Sequence, residues 1–271
     1  MTELSSDDRT RAFAFDGGAV GCLLLHGFTG TPAEMRPIGE RLAEHGYSVR
    51  APLLPGHGSR VDDLARTTWR DWFAAAEQSW EELGKRSPDR AVVGLSMGSL
   101  LALHLAHQRP REVRAVAALA PALALLDQRS AETALWLRRL PRLPRRLEIV
   151  AKRRKDPASG GRLTPAYEEI PLRSLASMID LQRMVRAELS AITAPALVVD
   201  GALDATIAPT AAAEVEAGLG SAIKKRLRFG RSGHILTEDE DAPAVIDAVE
   251  SFLAAHLPPL APLAPLAGPL A

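Results

Sequence analysis

A chain of 271 residues is within the range of one large α/β domain, so the sequence predicts a single core with room for an inserted lobe. Lysine plus arginine and aspartate plus glutamate both number 33, and the sequence pI is about 7.1. This balance argues against nucleic acid or an anionic membrane surface as the partner. A small, uncharged partner is expected instead.

The cysteine and the apolar segments predict a soluble, cytoplasmic protein. The only cysteine, Cys22, lies in an apolar run and is expected to be a buried, unreactive thiol. The first ten residues are polar and acidic, unlike a secretory signal. The longest apolar run, 115–126, contains Pro121 and is far shorter than the roughly 20 residues of a membrane span. No integral membrane segment is expected, and the sequence leaves monomer and dimer both open.

Apolar runs of strand length alternate with helical patterns along most of the chain. In chain order they predict a strand at 20–26, a helix at 31–46, a strand at 47–54, a helix at 67–85, a strand at 90–94, a helix at 97–108, a strand at 113–120, strands at 195–201 and 224–229 with a helix between them, and a last helix at 242–257. This alternation predicts a mostly parallel central sheet covered by helices on both faces, with ligands at the carboxyl ends of the strands.

Local signals define the first two helices. Thr31 is expected to cap the helix 31–46, Glu34 to complete a capping box, and Gly46 to end the helix. In the second helix the tryptophans recur at helical spacing, which favours packing in the core over a ligand cage: Trp69, Trp72 and Trp80.

Two segments interrupt the alternation and suggest the domain organisation. Residues 121–193 contain helical patterns and chain breakers but no convincing strand, which predicts a helical cap inserted into a core formed by 1–120 and 194–257. Within the cap, 138–155 carries nine basic residues against one acid, as a solvated face or as a docking patch. The proline-rich tail, 258–271, is expected to run extended.

The strongest motif is Gly-Leu-Ser-Met-Gly, residues 94–98. It connects a predicted strand to a predicted helix, and its glycines allow a tight turn that exposes the hydroxyl of Ser96. The amide of Met97 would lie at the N-terminus of that helix, where partial positive charge can receive a developing oxyanion. A nucleophilic serine is therefore expected, with a purely structural serine as the alternative.

A serine hydroxyl needs a neutral imidazole to take its proton, and seven histidines are available. His104 and His107 lie on the serine's own helix, about 12 and 16 Å along it, which is too far for a hydrogen bond. His234 follows the strand 224–229 in a polar loop, at the ligand edge of the sheet. His234 is therefore the predicted base, with a surface-loop histidine as the alternative.

The imidazole also needs an acid to fix its tautomer and to stabilise its charged form. Asp200 and Asp204 both follow the same strand. Asp204 lies in the turn beyond the strand, whereas Asp200 ends the strand and suits a structural role. Position favours Asp204 but leaves Asp200 open.

The order of serine, acid and histidine resembles the α/β-hydrolase fold, and in particular the bacterial carboxylesterases and monoacylglycerol lipases with a small helical cap. The resemblance covers nearly the whole chain. It depends on motifs that occur here in the family's order: LLLHGFTGTP, LPGHG, GLSMGS, DATIAP and SGHILTEDED.

The resemblance implies a role for each of these positions. Ser96 would be the nucleophile, Asp204 the triad acid and His234 the base, and the family pattern thus supports Asp204 over Asp200. The backbone N–H groups of Phe28 and Met97 would form the oxyanion hole. No cofactor and no metal are implied, since dinucleotide-binding glycines, a P-loop and metal-ligand spacing are all absent from the sequence.

Some positions depart from the family's pattern or are less specific. Ser99 stands where many relatives have glycine, and the cap matches least, which leaves the substrate open. His26 and His57 are expected to be structural. The leading hypothesis is hydrolysis of neutral esters, either short to medium acyl chains or monoacylglycerols. The alternatives are the same triad acting on thioesters, carbon–carbon bonds or peptides, and a non-catalytic ligand receptor on the same fold.

Overall fold

A computed structural model describes residues 10–128, 132–133, 149–151 and 165–260. Its strands are β1 (Phe13–Phe15), β2 (Val20–Leu25), β3 (Ser48–Ala51), β4 (Asp89–Leu95), β5 (Val113–Leu119), β6 (Ile149–Ala151), β7 (Glu169–Pro171), β8 (Ala196–Gly201) and β9 (Lys224–Phe229). Its α-helices are α1 (Arg36–Glu44), α2 (Val61–Leu64), α3 (Trp69–Gly84), α4 (Met97–Gln108), α5 (Leu172–Glu188), α6 (Ala211–Gly218) and α7 (Ala242–His256).

Seven of these strands form the central sheet, in the order β1-β3-β2-β4-β5-β8-β9. Every neighbouring pair in it is parallel except β1 with β3. The order reverses between β2 and β4, so the carboxyl ends of these two strands open a crevice of the kind in which open α/β sheets bind ligands. The predicted α/β-hydrolase fold, with a mostly parallel sheet, is confirmed.

The core lies on both faces of this sheet. One apolar cluster includes α3, α4 and α5, and the other includes α1 and α7. Trp72 and Trp80 are fully buried and Trp69 is nearly so, as expected for core residues. Cys22 is buried in β2, and burial raises the pKa of its thiol. Within the described residues, no helix is both long and apolar enough to cross a membrane.

Short strands were not anticipated by the sequence pattern. β1 pairs with β3 at the edge of the central sheet, and β6 pairs with β7 in a separate antiparallel ribbon. The expectation that 121–193 contains no strand is therefore wrong. Each missed strand has only three residues, which is too few for a periodic pattern to emerge.

The division into core and cap stays a prediction. α5 and β7 fall within the predicted cap, while 129–131, 134–148 and 152–164 lie outside the described residues. Most of the basic stretch 138–155 is therefore outside them, and so is the tail from residue 261 onward.

The first predicted helix begins differently from expectation. Residues Pro32–Met35 form a 3₁₀ turn before α1, and Thr31 makes no side-chain capping hydrogen bond. The predicted capping box of Thr31 and Glu34 is thus wrong, because the Glu34 carboxyl accepts a hydrogen bond from the amide of Gly27 instead. Gly46 does follow the end of the helix, with a φ of 88° that suits glycine.

Candidate active site

Ser96 lies in the sharp turn between β4 and α4. Its φ of 57° and ψ of −115° place a non-glycine residue in a sparsely populated region, which costs about 1–3 kcal/mol. A Cβ on Gly94 would lie 2.1 Å from the Gly98 carbonyl oxygen, and a Cβ on Gly98 would lie 2.1 Å from the Leu25 carbonyl oxygen. Both glycines are therefore required by close backbone contacts, and the turn holds the serine at the carboxyl edge of the sheet.

Ser99 contributes to the same turn. Its buried hydroxyl donates a hydrogen bond of 2.5 Å to the carbonyl oxygen of Ser96. The side chain that departs from the glycine of many relatives thus adds a hydrogen bond to a backbone acceptor that the amides of Ser99 and Ala122 also contact.

The structure brings Ser96, His234 and Asp204 together. Nε2 of His234 lies 3.0 Å from Oγ of Ser96, and Nδ1 of His234 lies 2.9 Å from Oδ2 of Asp204. Ser96 and His234 are both more than nine-tenths buried. The carboxylate accepts from Nδ1–H, which leaves Nε2 of the neutral imidazole free of a proton and able to accept from the serine hydroxyl.

Asp204 is held by backbone amides as well as by the histidine. Its Oδ1 accepts from the N–H groups of Thr206 at 2.7 Å and Ile207 at 2.9 Å. Burial acts to raise the pKa of the Asp204 carboxyl, but the charge and hydrogen bond of His234 together with the two amides outweigh it and lower the pKa below its usual value. Asp204 is therefore ionised at neutral pH.

Asp200, the open alternative, is engaged elsewhere. Its carboxylate accepts two hydrogen bonds from the guanidinium of Arg226, at 2.8 and 3.2 Å, and lies 3.6 Å from Nε of Arg228. The Asp200 carboxylate at the end of β8 thus forms an ion pair with Arg226 of β9. Of the two aspartates, Asp204 is the one in contact with His234.

The loop that carries His234 is tied to its neighbours. The amide of Gly233 donates to Oδ2 of Asp239 at 2.7 Å, and the hydroxyl of Thr237 donates to the carbonyl oxygen of Glu34 at 2.5 Å. A Cβ on Gly201 would lie 2.3 Å from the Gly233 carbonyl oxygen, so β8 ends directly against this loop. These contacts restrict the position of the imidazole.

Residues 27–30 form a second loop beside the serine, which we call the oxyanion loop after the role that the family resemblance implies for Phe28. A Cβ on Gly27 would lie 3.4 Å from Cβ of Ser96. The carbonyl oxygen of Gly27 lies 2.9 Å from Nδ1 of His26 and accepts from the amide of Gly30 at 3.2 Å. In a trans peptide the next N–H, that of Phe28, points away from that carbonyl, so these bonds also fix its direction. On the other side of the serine, Met97 begins α4, whose first amides lack intrahelical acceptors.

His26 and His57 belong to the packing around this loop. Nε2 of His26 accepts from the amide of Leu54 at 3.1 Å, so the proton is on Nδ1 and is donated to Gly27. Burial, and then the neighbouring His57, lower the pKa of His26 well below its ordinary value, and burial lowers the pKa of His57 to about 4. Both rings are therefore neutral, and the ring of His57 contacts those of Phe28 and Trp72 edge-on.

His104 and His107 are away from the serine, as their spacing predicts. Nδ1 of His104 lies 2.7 Å from a carboxylate oxygen of Glu188, and Nε2 of His107 lies 3.8 Å from the other oxygen. They connect α4 to α5. In the described part of the chain, no three His, Cys, Asp or Glu side chains are grouped so as to hold a metal ion.

Two residues beside the site were missed by sequence reasoning. Glu34 contacts the oxyanion loop although the sequence suggested a helix cap. Tyr167 donates its hydroxyl to the Gly56 carbonyl oxygen at 3.0 Å, and its amide donates to the Thr29 carbonyl oxygen at 3.0 Å. Tyr167 lies in a segment without periodicity, so no local pattern indicates these contacts.

The chain is similar to known hydrolases over most of its length. Residues 20–241 match the hydrolase family described as "Serine aminopeptidase, S33". The chain is 36% identical over 244 residues to a thermostable monoacylglycerol lipase of Bacillus sp. (strain H-257), covering 90% of this chain and 94% of that protein. It is 29% identical over 245 residues to a carboxylesterase of Bacillus subtilis (strain 168), covering 90% and 96%.

A solved structure from work on the metagenome-derived lipolytic enzymes LipS and LipT has the same fold. It superimposes with a TM-score of 0.85 at 26% identity, covering 92% of this chain and 99% of that one. The structure of a monoacylglycerol lipase from Paleococcus ferrophilus, at 22% identity and a TM-score of 0.77, covers 94% of this chain and all of its own, and shares the fold.

Proposed function

Because the chain belongs to the serine aminopeptidase S33 family of α/β-hydrolases and is a carboxylic ester hydrolase, we propose that it cleaves esters with short to medium acyl chains, or monoacylglycerols, through a Ser-His-Asp triad. The supporting observation is the unbroken hydrogen-bond chain from Oγ of Ser96 through His234 to Asp204. The substrate class is thus a small neutral ester, and a cytoplasmic location stays a prediction from the sequence.

The proposed mechanism follows from the hydrogen-bond contacts among Ser96, His234 and Asp204. Ser96 Oγ attacks the ester carbonyl carbon while its proton moves to Nε2 of His234, and ionised Asp204 stabilises the resulting imidazolium through Nδ1–H. The carbonyl oxygen gains negative charge and is held by the N–H groups of Phe28 and Met97. The imidazolium then protonates the departing alcohol as the C–O bond breaks, which leaves an acyl group on Ser96.

Water completes the cycle. Nε2 of His234 takes a proton from a water molecule, which attacks the acyl carbon and forms a second tetrahedral intermediate in the same oxyanion site. The imidazolium returns its proton to Oγ of Ser96 as the acyl–oxygen bond breaks. The products are a carboxylic acid and an alcohol, and the enzyme is regenerated.

The proposal is tested by turnover of p-nitrophenyl esters from acetate to palmitate. Phe28, a partly buried residue of the oxyanion loop, packs on the fully buried Trp72 with ring centroids 5.6 Å apart and offers apolar surface for the acyl chain. Each methylene that is buried contributes about 0.8 kcal/mol, so kcat/KM is expected to rise about fourfold per carbon until the pocket ends. A flat profile argues against an apolar acyl site. Turnover of an acyl thioester or an aminoacyl p-nitroanilide, with none of any ester, would overturn ester hydrolysis as the function.

The oxyanion assignment has its own test, Phe28→Pro, because proline removes the amide hydrogen at that position. Loss of one oxyanion donor is expected to lower kcat about 10²- to 10³-fold. Phe28→Ala is the matched control, since it removes the ring but keeps the N–H and is expected to act mainly on KM. Circular dichroism of both variants verifies the fold, and equal kcat values for the two would contradict a role for this amide.

A further inference from the structure

Glu34 is a buried carboxyl group in the 3₁₀ turn before α1. Its residue is 5% exposed, and Oε2 accepts a hydrogen bond of 2.9 Å from the amide of Gly27. A Cβ on Gly30 would lie 2.1 Å from its Oε1, so the carboxyl group fills the inside of the oxyanion loop at both ends. Burial of a carboxyl group is unfavourable unless hydrogen bonds compensate for it, so the hydrogen bond from the Gly27 amide helps to hold Glu34 in this position.

The backbone held by Glu34 is strained and is adjacent to the serine. Thr29, within the loop, has a φ of 68°, which a β-branched residue adopts only when its surroundings require it. The amide of Gly27 is fixed by Glu34, and the carbonyl of Gly27 by His26 and Gly30. The residue that precedes the N–H of Phe28 is thus tied at both its polar groups.

The same residue also reaches the loop of the catalytic base. The carbonyl oxygen of Glu34 accepts from the hydroxyl of Thr237, three residues after His234. Glu34 therefore contacts the oxyanion loop through its side chain and the histidine loop through its main chain.

We infer that Glu34 is a positioning residue for ester hydrolysis: its carboxyl group holds Gly27 so that the N–H of Phe28 points at the developing oxyanion. This inference rests on the proposed function. Glu34 does not touch the substrate, so its replacement acts on the transition state, in which the carbonyl oxygen has become an oxyanion, more than on substrate binding. The inference thus predicts an effect on kcat with little effect on KM.

The test compares Glu34→Ala with Glu34→Gln, which keeps an oxygen acceptor for the Gly27 amide. Glu40→Ala is the matched control, because Glu40 is on the adjacent helix, is exposed, and pairs with Arg36 at 3.8 Å. Three quantities are measured with p-nitrophenyl butyrate: kcat, KM and the pH dependence of kcat/KM. The fourth is the affinity for an alkyl boronic acid, which forms a tetrahedral adduct with the serine and places an oxygen in the oxyanion site.

Glu34→Ala is expected to lower kcat and boronic acid affinity about 30-fold, a fraction of the loss of an oxyanion donor, with KM and the pH profile within about twofold of wild type. Glu34→Gln and the control Glu40→Ala are each expected to keep kcat within about threefold of wild type. If the alanine variant fails to fold, Glu34→Asp replaces it: the shorter side chain withdraws the acceptor, and lower kcat and boronic acid affinity than in the glutamine variant are expected.

Several outcomes overturn the inference. One is a folded Glu34→Ala enzyme with wild-type kcat, and another is a loss of kcat with boronic acid affinity unchanged, which indicates a structural role only. If Glu34→Asp is used, a kcat equal to that of Glu34→Gln also overturns the inference. In each case the proposed function stands as long as wild-type hydrolysis depends on Ser96. Absence of such hydrolysis in the wild type instead removes the proposed function itself.

Discussion

Ser96→Ala is expected to lower kcat for p-nitrophenyl butyrate about 10⁶-fold, to the level set by binding and the oxyanion site alone. The loss follows from the geometry, because Oγ of Ser96 is the atom 3.0 Å from Nε2 of His234 and alanine offers no atom that can be acylated. Initial rates at saturating substrate measure it, with the variant purified on unused resin to exclude traces of wild type. A kcat within about 100-fold of wild type would contradict the nucleophile assignment.

A matched control separates loss of a hydroxyl in general from loss of this hydroxyl. Ser87 is fully buried and donates one hydrogen bond to the Gly18 carbonyl oxygen at 3.3 Å, so Ser87→Ala removes a buried hydroxyl elsewhere. Its kcat is expected to remain within about twofold of wild type, with a loss of about 1 kcal/mol in the free energy of unfolding.

Ser96→Gly is expected to be inactive yet more stable than wild type, since glycine tolerates the positive φ at this position.

The central strands could be predicted because burial on both faces leaves a continuous apolar run. β2 and β8 are buried at every residue, and the predicted strands 20–26 and 195–201 match them closely. β1 alternates between half-buried and exposed positions over three residues, and its position depends on pairing with β3. Such an edge strand is defined by its partner, which a local pattern does not contain.

The site could be predicted as far as the chain order of its parts allows. Ser96 and His234 follow strand ends, and parallel strands bring those ends to one edge. Asp200 and Asp204 are four residues apart at the same strand end, and their positions favour Asp204 without excluding Asp200. The ion pair of Asp200 with Arg226 and the contact of Asp204 with His234 distinguish them. These are tertiary contacts between distant parts of the chain.

Glu34 shows why a local rule failed. A threonine followed three residues later by a glutamate is typical of a capping box, in which the carboxyl accepts from the amide of the threonine. Here the chain enters the turn through the oxyanion loop, and the amide of Gly27 is available to the same carboxyl group. The carboxyl group satisfies this buried amide, Thr31 makes no side-chain capping hydrogen bond, and the 3₁₀ turn begins without the box.

Asp204→Asn is expected to lower kcat about 10⁴-fold while leaving the fold intact, the size of loss that follows when the histidine of a triad is held in the wrong tautomer. The amides around the carboxylate determine the orientation that the asparagine side chain adopts. Oδ1 accepts from Thr206 and Ile207, so an asparagine places its carbonyl oxygen there and turns its NH₂ group toward His234. Nδ1 must then accept, the proton moves to Nε2, and the imidazole can no longer take the proton of Ser96.

Asp200→Asn is the matched control for this change, because Asp200 is the other acid of the same strand end and pairs with Arg226. It is expected to lower the free energy of unfolding by about 1 kcal/mol, as for a partly exposed ion pair, and to leave kcat within about twofold of wild type. Steady-state rates and urea denaturation of both variants decide between the two aspartates. A collapse of kcat in the Asp200 variant, with the Asp204 variant active, would assign the acid to Asp200 and require His234 to adopt a different contact during turnover.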